Sequence, residues 1–67
     1  MPFINVKFFA GHSREKKARM AEKITAVVSE ETGVPNEYIW VVFQDVDKAD
    51  WSVGGTLCDN WSPKSDQ

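Results

Sequence analysis

Apolar and polar residues alternate from position 2 to position 9. Ile4, Val6 and Phe8 fall on one side and Phe3, Asn5, Lys7 and Phe9 on the other, which is the two-residue period of a β-strand. The second side carries two phenylalanines, so both faces of this strand need cover. Gly11-His12-Ser13 ends the alternation, and Ser13 is placed to cap a helix that starts at Arg14. From there Met20, Ala21, Ile24, Val27 and Val28 recur at intervals of three and four, an apolar stripe suited to packing on a sheet. Gly33 stops the helix, and Pro35-Asn36-Glu37 turns the chain into a second strand over residues 38–46. That strand sets Ile39, Val41 and Phe43 against Trp40, Val42 and Gln44, again with apolar residues on both faces. Residues 51–57, Trp-Ser-Val-Gly-Gly-Thr-Leu, read as a short hairpin around Gly54-Gly55.

A strand, a helix of about twenty residues and a second strand predict a βαβ unit with parallel strands and a right-handed crossover. The fold class is α+β, with a βαβ domain and hairpin over residues 1–58 and a polar tail over 59–67. Trp61 stands out in that tail. Its ring is too costly to leave in water, and it is expected to cover a subunit edge.

Composition narrows the function classes. A chain of 67 residues cannot bury much apolar surface by itself, and a single cysteine excludes an intramolecular disulfide. One histidine and one cysteine do not make a metal site of the usual ligand number, and no cofactor motif is visible, so oligomerisation is the expected source of stability. The net charge of −2 argues against a general nucleic-acid binder. No stretch approaches a membrane span and no signal peptide precedes the first strand, which makes a cytoplasmic location the expectation. Arg14, Lys16, Lys17 and Arg19 form a basic cluster early in the helix, read as a solvated face that could also draw an anion toward a site.

The chain opens on Met1-Pro2. Aminopeptidase removes an initiator methionine that precedes a small residue, proline included, and Pro2 would then be a terminal secondary amine in place of a tertiary amide. An unperturbed terminal amine titrates near ~7.7–8.0, and an apolar pocket disfavours its charged form. Such an amine can serve as a neutral base in proton transfer.

Met1-Pro2 before a strand, Gly11 and Ser13 opening an amphipathic helix, Gly33-Val34-Pro35 before a second strand, and the late Trp51-Ser52-Val53-Gly54-Gly55 hairpin together resemble the 4-oxalocrotonate tautomerase family, over about residues 2–57. The resemblance implies that Pro2 is a general base that takes a proton from an enol or dienol and returns it elsewhere on the substrate. It also implies homohexamers of βαβ subunits, or trimers of fused or paired ones, with the hairpin reaching a neighbour. The family's best-known member binds substrate carboxylates with two arginines, one just after the glycine that precedes the helix and one early in the second strand. Here those positions hold His12 and Trp40. A neutral imidazole or an indole donates a single hydrogen bond, so the bidentate carboxylate clamp is absent at both places. Trp51 matches the aromatic lining position. The expected site is Pro2 as base, with His12, Trp40, Trp51 and Phe9 binding substrate in a pocket more hydrophobic than that of dicarboxylate-specific members.

Three functions remain open at this point. The first is a tautomerase of small keto-enol compounds. A second is a non-catalytic oligomeric binding or structural homologue. The third is hydration or dehalogenation with protonated Pro2 as acid, for which Asp45, Asp47 or Asp50 would have to activate water. No membrane or nucleic acid is expected as a partner, only a small enol or keto acid and further copies of the chain.

Overall fold

The computed structural model describes residues 2–60. Trp61 and the tail beyond it, on which a subunit-edge role was expected, lie outside the described residues. The element order is β1 (Phe3–Phe9), α1 (Arg14–Thr32), a 3-10 turn (Asn36–Tyr38), β2 (Trp40–Val46), a 3-10 turn (Lys48–Asp50), β3 (Ser52–Val53), β4 (Thr56–Leu57) and a last 3-10 turn (Cys58–Asn60).

β1 and β2 pair in parallel, with Phe3 opposite Trp40, Ile4 opposite Val41, Val6 opposite Phe43 and Phe9 opposite Val46. Pro2 sits just before β1, where its missing N–H costs no ladder bond, and its carbonyl accepts from the Trp40 N–H at 3.1 Å. β2 starts two residues later than the alternation suggested. The turn at Pro35 runs on as a 3-10 segment, in which Tyr38 N–H donates to the Pro35 carbonyl and Ile39 N–H to the Asn36 carbonyl, each at 3.0 Å.

The helix ends where its local chemistry dictates. The Ser13 hydroxyl accepts from Lys16 N–H at 3.2 Å, which satisfies a donor of the first turn. At the other end Gly33 adopts φ 80° and its N–H donates to the Ser29 carbonyl at 2.8 Å. Met20, Ala21, Ile24 and Val28 are half-buried as the stripe requires. Val27, assigned to that stripe by spacing, is exposed instead, because it lies at the edge of an arc that one two-stranded sheet can cover.

Lys17 ties helix to sheet through an ion pair with Asp45, 2.6 Å between Nζ and Oδ2. Beneath it Phe8 and Phe43 stack with centroids 5.9 Å apart. β3 and β4 form the expected hairpin, closed by Gly54 and Gly55 at φ 61° and 90°, the paired positive angles a two-residue turn of this kind demands. Trp51 lies just outside its ladder, held by its carbonyl, which accepts from Cys58 N–H at 2.8 Å.

Little of the described chain is buried. Among the described residues only Ile39 and Cys58 are buried hydrophobics, while Phe3 is 60% exposed, Trp40 57% and Val42 41%. These three share the sheet face that alternation turns away from Ile4, Val6 and Phe8.

Candidate active site

The expected site residues are spread toward the two ends of β1, and the length of the strand separates them. Pro2 is half-buried at its start, next to Trp40. Phe9 is at its end, and seven residues of extended chain span about 23 Å. Within one chain Pro2 and Phe9 cannot line the same pocket.

The far end holds an aromatic corner. The Phe9 and Trp51 rings meet edge to face with centroids 4.7 Å apart. The ammonium of Lys48 lies 5.4 Å from the centre of the Phe9 ring, within cation–π range. Lys48 and Trp51 are also tied through the backbone, because the Trp51 N–H donates to the Lys48 carbonyl at 3.3 Å. Beside this corner Phe9, Val53, Thr56, Leu57 and Cys58 enclose a cavity of about 390 Å³. Only a hydroxyl and a thiol interrupt its apolar lining.

His12 is elsewhere. Its ring packs against Phe8 with centroids 4.6 Å apart, on the side of the sheet that carries the helix, and it borders a second recess of about 260 Å³ with Lys16, Arg19, Met20 and Lys23. The expected set is thus brought together in pairs, Pro2 with Trp40 and Phe9 with Trp51, while His12 stands apart from both. Lys48 was missed from the sequence. Its one signal is its place in the turn that immediately precedes Trp51.

Two of the three carboxylates considered for activating water have other engagements. Asp45 is paired with Lys17, and the Asp47 side chain accepts from Ala49 N–H at 3.4 Å to cap the 3-10 turn Lys48–Asp50. Asp50 alone of the three makes no side-chain hydrogen bond among the described residues. Those residues hold no group of three or more His, Cys, Asp or Glu able to bind a metal ion, and no helix long and apolar enough to cross a membrane.

The family model described as Tautomerase enzyme matches residues 2–59, a span that opens on Pro2 and takes in the aromatic corner and hairpin. The chain belongs to the tautomerase family. A Bacillus cereus protein named "Probable tautomerase" is 46% identical over 55 residues, which cover 82% of this chain and 90% of that one. The crystal structure of YwhB, a homologue of 4-oxalocrotonate tautomerase, superposes with a TM-score of 0.86 at 31% identity, covering 91% of this chain and all of that one. A heterohexameric 4-oxalocrotonate tautomerase from Chloroflexus aurantiacus gives a TM-score of 0.85 at 26% identity, covering 92% of this chain and all of that one. The βαβ fold with parallel β1 and β2 is therefore the tautomerase fold, and assembly into oligomers is typical of the family.

Proposed function

We propose that this tautomerase interconverts small keto and enol compounds, with Pro2 as the base once Met1 is removed. The observation that carries the reading is that the family match begins at Pro2, which lies half-buried at the open end of β1. As a secondary amine, Pro2 takes the proton of an enol hydroxyl and delivers it, as the prolinium, to the enol carbon. The amine is regenerated and no net proton is consumed.

The site is completed by neighbouring subunits, most simply in a cytoplasmic homohexamer, with a trimer or dimer as the smaller alternatives. Two facts favour this. Pro2 and the Phe9–Trp51 corner are too far apart to meet within one chain, and Phe3, Trp40 and Val42 leave an apolar sheet face uncovered. In that arrangement the Phe9–Trp51 corner of one subunit excludes water from Pro2 of another. His12 and Trp40, in place of arginines, make the pocket more hydrophobic than a dicarboxylate site. A neutral amine is favoured there.

Intact-mass measurement of the purified protein establishes whether Met1 is present, and the same samples are assayed for ketonisation of an aryl enolpyruvate. The processed protein is expected to accelerate the reaction, and Pro2→Ala and Met1-retaining protein to fall close to background. Equal rates for processed protein and Pro2→Ala would sink the proline mechanism. A processed, assembled protein with no rate over background would favour the non-catalytic binding reading.

A further inference from the structure

We infer that Lys16, Arg19 and Lys23, on one flank of α1, hold a short chain of linked phosphates, a site that goes beyond the keto-enol reading and uses neither Pro2 nor the aromatic corner. The three side chains line a recess of about 260 Å³ together with His12 and Met20. No carboxylate lines it, in a chain whose net charge is −2. The positive charge there is a local concentration and not an overflow of general basicity.

The helix sets these cations in a row. Positions 16, 19 and 23 are separated by three and four residues, which puts them on one side, and seven residues of helix rise about 10 Å. Like charges at this spacing repel, and cations near a helix N-terminus oppose the macrodipole. Nothing among the described residues relieves either cost. Lys16, Arg19 and Lys23 make no ion pair or side-chain hydrogen bond there, whereas Lys17, turned toward the sheet, is paired with Asp45. Glu15 and Glu22, close in sequence, form no ion pair with them. The mount itself is fixed, because the Ser13 hydroxyl accepts from Lys16 N–H and the His12 ring packs on Phe8. The charged ends above it stay exposed.

The spacing selects the ligand. A lone carboxylate reaches one cation of the row and leaves the others unneutralised. Linked phosphates carry acceptors along an extended chain, so the Arg19 guanidinium can take two oxygens of one phosphate while each lysine meets another as a point charge. The His12 imidazole offers one further N–H donor. With Met20 as its one apolar side chain, the recess offers little to a large apolar body. A triphosphate, inorganic or carried by a nucleotide, has this chemistry. The competing occupant is a second copy of the chain, since Val27, Glu30 and Glu31 continue the same side of α1 and an antiparallel helix would set its acids against these cations.

Calorimetry on the full chain, at about 0.05 M salt where exposed charges are weakly screened, tests this with inorganic tripolyphosphate, ATP and citrate. Tripolyphosphate and ATP are expected to bind, and citrate about tenfold more weakly. ATP equal to tripolyphosphate marks the phosphate chain as the whole ligand, and ATP tighter than tripolyphosphate marks a nucleotide as its source; either result supports the site. Each of Lys16→Gln, Arg19→Gln and Lys23→Gln should weaken tripolyphosphate by about three- to fivefold, what an exposed ion pair is worth, and the triple variant by about thirtyfold or more. Arg14→Gln removes the same charge outside the recess and should stay within about twofold of wild type. Pro2→Ala should bind as wild type does, and circular dichroism confirms that each variant is folded. No binding by wild type, equal losses in Arg14→Gln and the recess variants, citrate as tight as tripolyphosphate, or a loss in Pro2→Ala would each overturn the site. Binding of phosphatidylglycerol vesicles with tripolyphosphate left unbound would overturn it in favour of a membrane surface. A smaller assembly on light scattering of the triple variant would overturn it in favour of a second copy on this flank.

Discussion

The carbonyl of Pro2 accepts the N–H of Trp40 at 3.1 Å, and this bond places an exposed indole beside the residue proposed as the base. It also anchors Pro2 through its carbonyl, which leaves the ring nitrogen out of the sheet ladder. By the resemblance Trp40 takes the place of an arginine, which would make the neighbourhood of Pro2 aromatic instead of cationic.

A dicarboxylate dienol is therefore expected to be a poor substrate. The His12→Arg, Trp40→Arg double variant should lower its KM by about tenfold, since each guanidinium can offer a bidentate, charge-assisted partner. The two positions lie at opposite ends of the sheet in one chain, so they can act together only across a subunit boundary, and assembly has to be verified before kinetics. Efficient turnover of the dicarboxylate by wild type would refute the expectation.

Stability at the helix and hairpin ends can be read from single positions. Ser13→Ala removes the acceptor for Lys16 N–H and should cost about 1 kcal/mol. Gly55→Ala forces a Cβ into φ 90° and should cost roughly 1–2 kcal/mol, although no atom lies within 4 Å of the added group. Thermal unfolding at one fixed protein concentration measures both, because assembly makes the midpoint concentration-dependent. A Gly55→Ala protein as stable as wild type would mean that the turn relaxes to another geometry.

These same ends were the most legible features of the sequence, and the reason is locality. Ser13, Gly33 and the Gly54-Gly55 pair each act through their own backbone, so the residue type announces the geometry. The start of β2 was less legible, because whether Tyr38 and Ile39 extend a strand or close a 3-10 turn depends on two hydrogen bonds back to Pro35 and Asn36. Val27 was misplaced because three- and four-residue spacing marks an arc wider than a two-stranded sheet covers. Where the expected site residues lie relative to one another was not legible. Phe9 and Trp51 are 42 positions apart and meet only after the 3-10 turn folds, and no sequence pattern says that Lys48 will cover the Phe9 ring.

The Lys17–Asp45 pair should matter little to either stability or turnover. Both side chains are partly exposed, and such a pair is worth about 0.2–1 kcal/mol. Asp45→Asn is expected to lower stability within that range, and 1 M salt should narrow the difference by screening. Ketonisation should stay within about twofold of wild type, a barrier change of under 1 kcal/mol. A fall of a hundredfold or more, or a hydration activity that disappears with Asp45, would return this carboxylate to the site as an activator of water.

Assembly is the prediction on which the composite site depends. A two-stranded sheet is at best marginal alone, and this one has a helix over one face and Phe3, Trp40 and Val42 exposed on the other. Three large apolar side chains on a face this small are stabilised by burial at about 25 cal/mol per Å² of apolar surface removed from water, so association is favoured over an exposed monomer. Light scattering at micromolar concentration should give a hexamer. Val42→Asp places a charge in the middle of that face, opposite Asn5 and away from both Pro2 and the aromatic corner, so it should dissociate the assembly without touching either half of the site. Ketonisation should fall with it, because Pro2 would lose the Phe9–Trp51 corner that another subunit supplies. A stable wild-type monomer, or a Val42→Asp monomer with full activity, would show that one chain suffices and remove the shared site.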